Sequence, residues 1–181
     1  KGSETMVRDL CAPIDVQIEL TQLCNQQCGH CYNIWRANSN QSVGSKTLDP
    51  SSIQTIVREL VENRVPSITI TGGEPFKARN GLFLLLALAK NEHMHVSLNT
   101  NLSLTNREDL QKLAVRPCVP ILVSLLSADE DEHAQLAGVS RATHSQVVKG
   151  IETAISLGIP VSINMVLMPQ NLHGMVELAK L

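Results

Sequence analysis

Val16-Gln17-Ile18-Glu19-Leu20-Thr21-Gln22-Leu23-Cys24-Asn25-Gln26-Gln27-Cys28-Gly29-His30-Cys31 sets a short apolar, β-branched run directly ahead of three cysteines. The run 16–20 reads as a strand. The triplet begins in the loop at its carboxyl end, where parallel α/β proteins assemble their sites. Spacings of four and three residues let three thiolates converge on one soft-metal centre from a single loop. The chain holds 5 cysteines in all, an odd number. That count does not fit a disulfide framework and points to a reducing compartment. Cys11 and Cys118 stand apart from the triplet and read as small buried residues.

Outward from this stretch, β-branched runs alternate with helical patterns. Strands are expected at 16–20, 67–71, 95–99, 120–125 and 159–166, and helices at 50–63, 82–92, 106–113, 143–157 and from 172 to 181. Start signals support the helices: Asp49 caps ahead of Pro50, and Thr105 stands ahead of Glu108 as a cap. Gly158 stops the helix that ends at Leu157. Strands such as Ile121-Leu122-Val123 are apolar on both faces, the mark of parallel strands covered by helices. A full eight-unit barrel takes about 250 residues, hence about 31 per unit. The stretch 16–181 therefore holds a little over five units. The expected fold is α/β, a partial (β/α) barrel of about five to six parallel βα units, open on one side. Residues 1–15 form an N-terminal extension and 16–181 the core, which is expected to be a C-terminally truncated piece of a longer parent.

Composition limits the function classes. With 181 residues, 43% hydrophobic and 18% charged, the chain suits one domain with a sizeable core. A net charge of −2 leaves no positive field for a phosphate backbone, and two Phe, one Tyr and one Trp make no base-stacking platform. Nucleic acid is thus disfavoured as a partner. The longest apolar runs, 82–89 and 119–123, fall short of the roughly 18 residues of a membrane-spanning helix. No signal segment opens the chain. A soluble cytoplasmic protein with no membrane partner is expected.

Three thiolates leave two kinds of centre open. In an iron–sulfur cube one iron would lack a protein ligand and could bind a substrate or cofactor. A structural zinc would need a closed shell, with His30 as the fourth ligand. Further along, Thr71-Gly72-Gly73-Glu74-Pro75 ends the second strand. Gly72-Gly73 lets the backbone approach a ligand closely, and Glu74 offers a carboxylate to an ammonium.

Taken together, Cys24-x3-Cys28-x2-Cys31, entered by Ile18-Glu19-Leu20-Thr21 and followed by Tyr32-Asn33, resembles the radical S-adenosylmethionine (SAM) superfamily. The Gly-Gly-Glu-Pro segment matches the same family, and the likeness runs from Val16 to Leu181. It implies a [4Fe–4S] cluster on Cys24, Cys28 and Cys31, with SAM on the fourth iron. One electron from a cellular reductant then cleaves SAM, and the 5′-deoxyadenosyl radical abstracts hydrogen from a substrate. The Tyr32-Asn33 ending resembles the peptide-modifying, SPASM-like branch, which makes a peptide the candidate substrate.

The resemblance also implies SAM contacts. Gly72, Gly73 and Glu74 meet the methionine amine, His30 lies at the adenine position, and Tyr32 is a further SAM contact. Asn99, with Thr100 and Asn101, closes the third strand, and Ser124 sits in the fourth; such positions meet ribose or methionine. Arg141 is placed for the SAM carboxylate. On the fifth strand, Asn164 and Val166 face adenine or ribose. The acidic run 129–132 reads as a solvated loop. His93, His95, His133, His144 and His173 show no metal-ligand spacing. The competing reading is a non-catalytic iron–sulfur or zinc module for electron transfer or regulation.

Overall fold

The computed structural model describes residues 12–32 and 47–181. Cys11 and Asn33 lie outside the described residues. The order is β1 (Asp15–Glu19), α1 (Pro50–Glu62), β2 (Ser67–Thr71), α2 (Arg79–Asn91), β3 (His95–Thr100), α3 (Arg107–Ala114), β4 (Ile121–Ser124), α4 (Glu130–Ala137), α5 (Arg141–Ser156), β5 (Val161–Asn164) and α6 (Met175–Leu178). Short 3-10 turns precede α2 at Pro75–Ala78 and α6 at Leu172–Gly174. All five strands are parallel, in the order β1-β2-β3-β4-β5. This is the expected partial barrel, an open sheet whose edges among the described residues are β1 and β5.

Helix starts follow side-chain chemistry. Asp49 accepts from the Ser52 N–H at 2.9 Å, and Pro50 occupies the first turn of α1. The cap of α3 is Asn106 rather than Thr105. Its side chain accepts from Asp109 N–H, and Asp109 accepts from Asn106 N–H, a reciprocal capping box. The Thr105 hydroxyl instead donates back to the Leu102 carbonyl. The acidic run 129–132 is the start of α4 and not a loop. Asp129 caps Glu132 N–H, and Glu130, Asp131 and Glu132 fill the first turn, where the helix dipole favours negative charge. The helix expected at 172–181 is reduced to a 3-10 turn and the single turn of α6.

The core lies between one face of the sheet and the helices. Ile18, Ile68, Ile70, Val96, Leu98, Ile121 and Val123 pack there against Ile53, Val57, Leu82, Leu85, Leu110, Val147 and Ile151. Each such side chain contributes about 1.5–3 kcal/mol by leaving water. Strands β1 to β3 alternate, whereas β4 sets Ile121 and Val123 in the core and Leu122 on the second face, apolar on both as expected. The second face carries Gln17, Thr69, Ser97, Asn99 and Ser162, which line a shallow concavity. Thr69 and Ser97 share a hydroxyl hydrogen bond of 2.9 Å, and Asp15 accepts from Ser67 and Thr69. Among the described residues, helices cover one face only. Among the described residues no helix is long and apolar enough to cross a membrane.

Candidate active site

The carboxyl ends of the strands deliver the site. A cavity of about 230 Å³ is lined there by Cys24, Cys28 and Cys31 and by Gly72, Gly73 and Glu74. Asn99, Ser124, Asn164 and Val166 complete it from β3, β4, β5 and the loop after β5, and His30 and Tyr32 belong to the same wall. Every site residue expected from the sequence lies on this cavity except Arg141. Arg141 starts α5, stands exposed outside the wall, and pairs with Asp131 and Glu130. Its charge is spent on the first turn of α4. Gln26, Thr71, Leu122 and Leu126 also line the cavity and were not singled out by the sequence. Gln26 reads as a spacer within the motif. The others sit at strand ends without a chemical signature.

The cysteine loop is held by backbone bonds on both sides. Before it, Gly73 N–H donates to Thr21 O at 2.6 Å and Glu74 N–H to Leu23 O at 2.7 Å. Within it, Gln27 N–H donates to Ala137 O at 2.9 Å and Gly29 N–H to Leu136 O at 3.3 Å. The loop thus satisfies carbonyls at the carboxyl end of α4 that have no partner inside the helix. Glycine is required at both contacts. Gly72 has φ +144°, and a Cβ on it would lie 2.6 Å from Thr21 O; Gly138 has φ +63°, and a Cβ there would lie 2.8 Å from Gln27 O. A third tie runs through side chains. Asn25 donates to Ser103 Oγ at 2.8 Å and accepts from Asn101 Nδ2 at 3.1 Å.

Besides lining the cavity, Glu74 is tied into the fold. Its carboxylate accepts from Thr100 Oγ1 at 2.7 Å, Asn101 N–H at 2.8 Å and Phe76 N–H at 3.1 Å, and the residue is 1% exposed. Burial pushes its pKa up, and these three hydrogen bonds oppose that shift. The carboxylate is a strut between the ends of β2 and β3, with its oxygens turned to protein donors. Tyr32 donates to Glu19 Oε1 at 2.7 Å. Burial lowers the pKa of His30, and its Nδ1 is buried without a partner.

The three thiols are half-buried. Cys28 Sγ lies 3.5 Å from Gln26 Oε1, and Gln26 N–H points to Cys24 Sγ at 3.4 Å. Among the described residues no group of three or more His, Cys, Asp or Glu side chains is gathered tightly enough to chelate one ion. The donor set nevertheless suits a bound iron–sulfur group. Three soft ligands share one wall, and Gln26 Nε2 and His30 Nδ1 are buried polar atoms with no hydrogen-bond partner.

The chain is similar to several known proteins. PqqA peptide cyclase of Bradyrhizobium diazoefficiens is 27% identical over 169 residues, covering 93% of this chain and 43% of that protein. A probable GTP 3',8-cyclase of Pyrococcus abyssi is 30% identical over 156 residues, covering 85% of this chain and 47% of that one. In fold, the chain superposes on Streptococcus suis SuiB bound to precursor peptide SuiA with a TM-score of 0.79 at 23% identity, covering 94% of this chain and 37% of SuiB. The chain spans less than half the length of each of these proteins. Residues 18–181 match the family model described as the radical SAM superfamily, and the chain belongs to that superfamily.

Proposed function

We propose that residues 16–181 form the core of a radical SAM enzyme, with 1–15 as an extension, and that its substrate is a peptide. The observation that carries this reading is the single cavity shared by Cys24, Cys28, Cys31 and the Gly72-Gly73 turn. The cysteines would hold a [4Fe–4S] cluster, and SAM would lie against the glycines. Bound there, the pair supplies one-electron cleavage of a sulfonium carbon–sulfur bond and hence a radical that removes hydrogen from a substrate.

The chain's own residues bind and aim. Three thiolates from one short loop would hold a cube and would leave one of its irons to SAM. The Gly72-Gly73 backbone admits the methionine end at close range, while Asn99, Ser124 and Asn164 offer hydrogen bonds along the strand ends. Leu122, Leu126 and Val166 supply an apolar wall that restrains water near a reactive species. Tyr32 and His30 close the cysteine side. A low-potential one-electron reductant must dock near this loop, and the cytoplasm, which keeps thiols reduced, is the compartment that suits both. The peptide reading is supported by the relative whose name specifies a peptide cyclase.

Anaerobic reconstitution with iron, sulfide, SAM and dithionite tests the activity. The expected result is release of 5′-deoxyadenosine that is abolished in Cys28→Ala. Undiminished release from that variant would sink the reading. Deuterium transfer into 5′-deoxyadenosine from labelled peptides, with labelled GTP as the competitor, then tests the substrate class.

A further inference from the structure

Gln26 is 5% exposed and lies between two of the cluster ligands. Its backbone N–H reaches Cys24 Sγ at 3.4 Å, its Oε1 takes the Cys28 S–H at 3.5 Å, and its Nε2 is buried with no hydrogen-bond partner. An amide donor buried without an acceptor costs about 1–3 kcal/mol. Nothing in the fold of the loop requires that cost. The position of the residue is fixed on both flanks, by the Asn25 side chain on Ser103 and Asn101 and by Gln27 N–H on Ala137 O.

The arrangement fits a thiol and fails for a thiolate. A cysteine that binds iron has lost its proton, and a carbonyl oxygen beside it would set two acceptors in contact. A half-turn of the amide about its last bond exchanges oxygen and nitrogen within the same volume. Nε2–H then faces the sulfur in a charge-assisted hydrogen bond, and the buried atom left behind is an acceptor, which is less costly to leave unpaired than a donor. Resting on the iron–sulfur reading above, we propose that Gln26 donates a side-chain N–H to the Cys28 thiolate and thereby raises the reduction potential of the cluster. Hydrogen bonds to the sulfurs favour the more negative, reduced cluster. Gln26 is a positioning residue for the electron that enters the site.

The test is an EPR-monitored redox titration of the full chain, reconstituted anaerobically with iron and sulfide and without SAM. Gln26→Leu removes the donor, and Gln26→Glu keeps the length while replacing the donor with a carboxylate. The midpoint potential is expected to fall in Gln26→Leu and to fall at least as far in Gln26→Glu, with iron and sulfide content equal to the parent. Full cluster content at an unchanged potential in either variant overturns the proposal. Pulsed EPR of the reduced parent cluster carrying side-chain 15N-glutamine requires no substitution; a nitrogen coupling is expected, and its absence overturns the proposal even where a variant fails to hold iron. A parent chain that assembles no cluster is a different result, and it overturns the iron–sulfur reading itself.

Discussion

Glu74 joins the carboxyl ends of two strands, because Thr100 and Asn101 at the end of β3 both donate to a carboxylate that follows β2. The sequence marks this glutamate through the glycines before it. It does not mark the donors, which lie 26 and 27 positions further on. Glu74→Gln keeps the shape but turns an amide N–H toward one of those donors. The expected loss is roughly 1–3 kcal/mol of stability with no ligand bound, read by chemical denaturation; unchanged stability would return Glu74 to a purely ligand-facing role. Gln26 is equally silent in sequence, since a polar residue between cysteines has no signature of its own. Its importance comes from being buried with one nitrogen unpartnered, a property of surroundings rather than of residue type.

Among the elements, α4 was hidden in sequence by its charge. Four consecutive acids at 129–132 suggest a solvated loop when weighed alone, and a capped first turn only when Ala134 and Ala137 are seen to be buried behind them. The helix then matters to the site, because its last carbonyls hold Gln27 and Gly29 of the cysteine loop. Gly138 makes that approach possible. Gly138→Ala would place a side chain in the left-handed region at a cost of about 1–2 kcal/mol and press a methyl on the Gln27 carbonyl. Lower stability in denaturant and reduced iron content after reconstitution are expected together; a stable variant with full iron content would refute the clamp. Asn171 ties the other side of the site. Buried, it donates to Leu126 O at 2.9 Å and Val166 O at 3.0 Å and accepts from Met168 N–H at 2.8 Å, which fixes two cavity-lining backbones to each other.

Across the whole molecule, a pair of histidines reports on how the helices close over the sheet. His133 of α4 and His144 of α5 meet edge to face at 5.4 Å between ring centroids, and His133 accepts the Leu126 N–H at 3.3 Å. Burial, and then the neighbouring His144 ring, push the pKa of His133 down to about 4. The unfolded chain takes up this proton near pH 6.5 and the folded chain only near 4, so folding stability is full above pH 6.5 and declines as pH falls between those values. The loss approaches about 3 kcal/mol by pH 4. Melting temperature is expected to drop over this window, and His133→Phe, less stable at pH 7, should show a shallower slope; equal slopes would remove His133 as the cause. At this scale the sequence by itself determined the order of the strands and of every helix but α4, the parallel open sheet and the three thiols, because periodicity, capping residues and ligand spacing are local. Only the tertiary structure decided that helices cover one face of the sheet, that Glu74 is a strut, that Arg141 is spent on Asp131 and Glu130, and that α4 grips the cysteine loop. Each of those depends on burial and on partners distant in sequence, and the hydrogen bond that a polar side chain must make on leaving water is chosen by whatever the fold brings beside it.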